Sequence, residues 1–254
     1  MLFRSLLSAV LACSLPVSGP SNATPISVGE TPVSVVSSPG GGGSVACNNP
    51  LYPVVAGASW IYSFNGTSPG NFTRSITAVN ADGFSDQDVF TSGITRAGEW
   101  KCNAGTLTAL KPGGDSTATV QSNNIDSTFT TTAMDGVTLP ASINAGDSWA
   151  QNFTIEGTET VNGKSVVSKS QIAYSCMAGG SESVTVPAGT FDAVRVECKL
   201  HITITITMNG AEIPATTDAT STTWYALGVG MVKTDSVVSD IGNSTIELTA
   251  YNIP

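Results

Sequence analysis

The chain has 254 residues, 41% of them hydrophobic and only 11% charged, with a formal net charge of −9. That length is enough to bury a substantial core. With ten basic residues against nineteen acidic ones, a surface that tracks phosphates is not expected, and so no nucleic-acid partner is.

The first element is an export signal. Met1-Leu2-Phe3-Arg4 gives a short positive start, and SLLSAVLA (residues 5–12) gives a run of small and apolar residues, the n-region and h-region order of a signal peptide. The run ends in VLAC, with a branched residue at −3 and Ala at −1 relative to Cys13. This resembles the lipobox of bacterial lipoproteins, in which residues 1–12 are removed and Cys13 becomes the acylated first residue. The competing reading is an ordinary signal peptide cut near Gly19. Two acyl chains, at ~0.8 kcal/mol per buried methylene, make a stable anchor. No later apolar run approaches the about 20 residues that a membrane-spanning helix needs.

Residues 13–46 follow as a lipidated cysteine and a Pro/Ser/Gly-rich linker, closing on Gly40 to Gly43 and Ser44. Such a composition cannot bury enough surface to offset its ordering entropy, so a disordered tether is expected. A folded domain over 47–254 then begins near Cys47. Within it, AGASWIYSF (56–64) and AGDSWAQNF (145–153) share Ala-Gly-x-Ser-Trp-x-x-x-Phe, and Pro53 and Pro140 precede them. Two related halves are expected, about 47–137 and 138–254, each opening with a glycine turn into a strand that carries a Trp.

The domain reads as all-β: antiparallel sheets forming a sandwich or an open, curved barrel. NADGF (80–84) signals a hairpin turn, with Asp86 and Asp88 as its charged flank; a calcium loop is the weaker reading, because the EF-hand order is missing. VTVPAGTFDAV (184–194) has β-branched runs on both sides of Pro187-Ala188-Gly189, a hairpin with a bulged turn. VRVECKLHITITITM (194–208) alternates strictly. Val194, Val196, Cys198, Leu200, Ile202, Ile204, Ile206 and Met208 share one face of a long strand, and His201 lies on the other. MNGAEI (208–213) supplies a further Asn-Gly turn. No stretch after Cys47 keeps a helical period.

Setting Cys13 aside leaves Cys47, Cys102, Cys176 and Cys198, an even set that allows three pairings. The hairpin register brings Cys176 near Cys198 if a bulge falls at Gly179-Gly180, which favours Cys176–Cys198 with Cys47–Cys102. No C-x-x-C spacing supports a metal site, and no metal or cofactor is expected. Candidate catalytic groups are few. His201 is the sole histidine, it sits on a wet face, and no G-x-S-x-G elbow accompanies it. Trp60, Trp100, Trp149 and Trp224 are expected in the core rather than as a sugar-stacking platform.

LYPVVAGASWIYSF (51–64), VTVPAGTFDAVRV (184–196) and TTWYALGVGMVKTD (222–235) resemble, in order, the motifs of TapB-like bacterial envelope proteins. The resemblance implies an antiparallel β domain, often behind a lipoprotein signal, and brings no catalytic residues. It implies turn and packing roles for Gly57, Trp60, Pro187, Gly189, Phe191, Trp224, Tyr225, Gly228 and Gly230. The expected protein is a non-enzymatic envelope lipoprotein, held to the membrane by its lipid and facing the periplasm or exterior. It acts as a binding or accessory module for an apolar ligand or an envelope protein partner. A structural or adhesive surface protein is the alternative, and a hydrolase is least favoured.

Overall fold

The computed structural model describes residues 45–254 except 67–68, 94, 111–124, 162–163, 209 and 240–241. Cys13 and all but the last two residues of the predicted tether lie outside the described residues. After a 3-10 turn at Val45–Cys47, twelve strands follow in chain order. They are β1 (Ser59–Asn65), β2 (Gly70–Val79), β3 (Gly83–Phe90), β4 (Thr95–Asn103), β5 (Thr106–Ala109) and β6 (Ile125–Gly136). The second six are β7 (Ser148–Val161), β8 (Lys164–Val186), β9 (Gly189–Met208), β10 (Ala211–Ala226), β11 (Gly230–Val238) and β12 (Gly242–Asn252).

All twelve belong to one antiparallel sheet, in the order β5-β4-β3-β2-β1-β12-β11-β10-β9-β8-β7-β6. Read as a ring, this is chain order, opened between β5 and β6. Of the two architectures the sequence leaves open, the chain adopts the curved barrel, nearly closed. The gap is stitched by single contacts. Leu107 of β5 bridges Leu139 just beyond β6, and Gln151 Nε2 of β7 donates to the Ala109 carbonyl at 3.3 Å. Closure removes most of the free edge that an open sheet would expose.

The repeated Ala-Gly-x-Ser-Trp stretches fold alike. Gly57 and Gly146 have φ of +82° and +92°, which only glycine adopts without strain. Gly57 N–H donates to Ile76 O and Ile76 N–H to Ala58 O; Gly146 N–H donates to Ala178 O and Ala178 N–H to Asp147 O. Each turn therefore locks to its neighbouring strand through the same pair of backbone bonds. Each Trp indole then donates to a loop carbonyl, Trp60 to Val229 at 2.7 Å and Trp149 to Thr138 at 3.1 Å.

Strand β9 alternates as its sequence predicts, with Val196, Leu200, Ile202, Ile204 and Ile206 buried and His201 exposed. The preceding turn differs from expectation by one residue. Val186 pairs with Gly189, so Pro187-Ala188 is a two-residue turn and not a bulged three-residue one. The bulge lies at Gly179–Gly180, where the register shifts between Ala178 and Ser181 and sets Cys176 directly opposite Cys198. The structure joins that pair, and Cys47 to Cys102.

Candidate functional site

Short strands build one wall of the interior. In β3, GFSDQDVF sets Phe84, Asp86, Asp88 and Phe90 in phase, and Phe84, Asp86 and Asp88 are buried. The hairpin turn and its charged flank are present, but the flank points inward: Asp86 and Asp88 are buried, whereas Asp82 in the turn is exposed. In β2, Arg74 pairs with Asp88; in β4, Arg96 pairs with the same residue from the other side. Register alone thus places two guanidiniums around one carboxylate.

Arg74 Nε and Nη2 donate to the two Asp88 oxygens at 2.8 Å each, and Arg96 Nη2 donates to Asp88 Oδ2 at 2.9 Å. Burial by itself would raise the Asp88 pKa, but the two cations outweigh it and hold the carboxyl below its ordinary value. Asp86 behaves oppositely. Burial first, and the charge of Asp88 against the pull of Arg74, raise its pKa, while the Tyr52 hydroxyl donates to its Oδ2 at 3.1 Å. Its cross-strand partner is Gly98, and a Cβ there would collide with the Asp86 carboxylate, so glycine makes the room. Tyr52 itself is pushed up by burial and then by Asp86.

Aromatic rings frame this network. Phe84 stacks on Trp100 with centroids 5.3 Å apart, Phe72 on Phe90 at 5.0 Å, and the Arg96 guanidinium lies 4.5 Å from the Phe90 centroid. Barrels of about eight strands are just filled by their own side chains. A twelve-stranded one holds more space, and here the rings do not fill it. A cavity of about 270 Å³ remains inside. Phe64, Phe72 and Phe90 form one side. Across from them, Ser221 and Thr223 of β10 lie opposite Ser236 and Thr234 of β11 and present hydroxyls. Leu200 and the Cys176–Cys198 pair of the long hairpin also line it. The lower part of the β9 apolar face, Ile202 to Ile206, packs with Phe153, Ile155 and Val166.

A second concavity, of about 420 Å³, lies over β6–β9 beside His201. His201 Nδ1 meets Asp218 Oδ1 at 2.7 Å, and both side chains are more than half exposed. This is an open surface pair. Among the described residues no cluster of three or more His, Cys, Asp or Glu could hold a metal.

The resemblance residues converge on one end of the barrel. Gly228 N–H donates to Pro50 O and Ala188 N–H to Leu248 O. Phe191 meets Tyr251 edge-on at 6.2 Å, and Gly230 lies against Pro53 and Trp60. Tyr225 points inward to the cavity. Of the four tryptophans expected in the core, Trp60 is buried and Trp100, Trp149 and Trp224 are half-buried; Lys233 lies 5.1 Å over the Trp224 ring, and the same indole donates to Glu182. Sequence reasoning missed Arg74, Arg96 and Tyr52, and named Asp86 and Asp88 only as the charged flank of a turn. The available signal was phase, because the charges alternate in step with the aromatic residues of β2, β3 and β4.

These features define a nearly closed antiparallel barrel with an ion-paired, aromatic interior. The chain belongs to the DUF3108-like family, whose model matches residues 95–239. No curated protein matches it. It is similar in fold to a crystal structure from Parabacteroides distasonis described as a candidate lipoprotein, at 18% identity and a TM-score of 0.53, covering 80% of this chain and 99% of that one. A Bacteroides fragilis protein, described as a candidate exported protein with a YmcC-like fold, matches at 14% identity and a TM-score of 0.48, over 80% of this chain and 98% of that one. The hypothetical lipoprotein YmcC from Escherichia coli matches at 9% identity and a TM-score of 0.33, over 78% of this chain and 85% of that one.

Proposed function

We propose that this protein is a non-enzymatic lipoprotein of the bacterial envelope, anchored through Cys13, whose barrel interior holds a small ligand. The carrying observation is the unfilled cavity of about 270 Å³ behind Arg74 and the Phe64, Phe72 and Phe90 rings. Concave sites lined by apolar and aromatic side chains with a few convergent polar groups are where small molecules bind. The VLAC motif ending at Cys13 supports the anchor, as does the lipoprotein description of the Parabacteroides structure. The TapB-like resemblance supports the same address. Residues 14–46 serve as the tether that lets the barrel stand off the membrane.

Native mass spectrometry of protein isolated from its own host tests both parts. The expected spectrum shows a chain beginning at Cys13 with acyl mass added, and a small molecule that leaves on collisional heating. An unmodified Cys13 overturns the anchor. A chain that carries no adduct, and gains none from an envelope extract, overturns the binding role.

A further inference from the structure

We infer that the cavity receives an anionic amphiphile, one carboxylate or phosphate on an apolar body, with Arg74 as the residue that meets the anion. This rests on the ligand-binding reading above. The chain has ten basic residues and a net charge of −9, yet the charged side chains among the described cavity lining are Arg74 and Arg96, with no acidic one beside them. Asp88 stands behind the pair. It holds Arg74 by Nε and Nη2, two of the five N–H donors a guanidinium carries. Among the described residues no other hydrogen bond takes the rest of the fork, and 22% of the side chain stays accessible within the barrel wall. A planar fork already fixed by a carboxylate is preorganised for the two oxygens of a carboxylate or phosphate. Asp88 is thus a positioning residue.

The remaining wall sets the rest of the ligand. Phe64, Phe72, Leu200, Met231 and Ile246 offer apolar contact along the same cavity, and the Phe72 centroid lies 5.9 Å from the guanidinium. A cavity near 150 Å³ accepts benzene, so one of about 270 Å³ suits roughly ten non-hydrogen atoms. An eight-carbon chain with a compact acidic head meets both requirements.

Calorimetric titration of the full mature chain with octanoate, octyl phosphate, octan-1-ol and octyltrimethylammonium tests this. At least one of the two anions is expected to bind tenfold or more tighter than octan-1-ol, and the cation not at all. Whichever anion binds tighter identifies the head group as carboxylate or phosphate. Arg74→Gln is expected to bring the anions to within about twofold of the alcohol, each 1.4 kcal/mol being a factor of ten. Octan-1-ol binding as well as both anions, or an anion preference that survives Arg74→Gln, overturns the inference and leaves the cavity as a binding site. Silence from all four probes overturns the inference and counts against the binding role as well. If Arg74→Gln does not fold, the four-probe comparison on the unaltered chain decides. A cavity-filling Ser236→Leu chain then places the binding: the anion signal must fall with it, and an unchanged signal overturns the inference.

Discussion

Strands β1–β5 and strands β7–β9 line the same interior with opposite chemistry. The first arc is short, four to ten residues per strand, and its inward rows carry Arg74, Asp86, Asp88 and Arg96 between aromatic rings. The second arc is long, fourteen to twenty-three residues per strand, and below Leu200 its inward rows are uncharged and mainly apolar, with only the small hydroxyls of Ser168 and Ser170 buried among Ile, Val and Phe. A barrel gives every strand one inner face, whatever residues occupy it. The aliphatic arc is held by burial, which is non-directional and tolerates repacking. The charged arc is held by a few directional bonds, each of which leaves a costly orphan if its partner is removed. The first arc is therefore the brittle one, and it supplies the charged side chains, Arg74 and Arg96, among the described cavity lining.

The largest effect follows from that brittleness. Asp88→Ala leaves two guanidiniums inside the wall without their shared carboxylate. Breaking a buried charge pair in this way costs about 4 kcal/mol. Urea unfolding of the variant is expected to show an unfolding free energy lower by that amount than the native chain's, with the midpoint falling in proportion. A cost under about 1 kcal/mol, the range of a surface pair, would mean that the arc is held by its aromatic stacks alone.

Next comes the aliphatic arc. Ile204 is 2% exposed and faces Ser170 and Ala215 across its neighbouring strands. Small cross-strand partners leave little to collapse into a void, so Ile204→Ala is expected to cost about 3 kcal/mol. The penalty should be the same at pH 4 and pH 7, because no charge is involved. If Ile204→Ala costs more than Asp88→Ala, the contrast between the arcs is reversed.

The two arcs also differ in how far the sequence reveals them. HITITITM shows its structure directly: strict alternation of Ile with Thr has one physical reading, a strand with one buried face. The position of the disulfide partner was within reach because a hairpin fixes its register from the turn outward. The error of one residue at Pro187-Ala188 came from giving Gly189 to the turn, whereas its positive φ begins β9. The role of the charged arc was not legible because a run such as SDQD beside a turn reads as that turn's charged flank when taken residue by residue. Only pairing across the β2–β3 and β3–β4 hairpins brings Arg74 and Arg96 to Asp88, and the β2–β3 register carries a shift between Ile76 and Ala78 that the turn sequence does not reveal. The cavity was beyond sequence reasoning, since its volume is what twelve strands enclose minus what their side chains fill.

The smallest expected effect is the most discriminating, because it separates two carboxyls that share one strand. Asp86 faces the Tyr52 hydroxyl from the N-terminal segment, Arg74 from β2, Asp88 on its own strand and Trp100 from β4. Burial and then Asp88 raise its pKa, so its contribution to stability is complete below the ordinary Asp value of about 3.9 and is lost as pH rises through the folded value. Asp88, with its lowered pKa, contributes fully above about 3.9 and loses that contribution as pH falls through its folded value. The two together predict maximal stability between the lowered pKa and the raised one, with an acid limb due to Asp88 and a limb toward neutrality due to Asp86. Asp86→Asn keeps an oxygen to accept from Tyr52 and cannot ionise. It is expected to match the native chain at low pH and to become the more stable of the two as pH rises above about 4, while the acid limb persists. Denaturant midpoints taken from pH 2 to pH 8 measure this directly. Parallel curves for the two proteins would show that Asp86 ionises in the folded barrel as freely as in the unfolded chain, and that the charged arc holds one electrostatic group, not two.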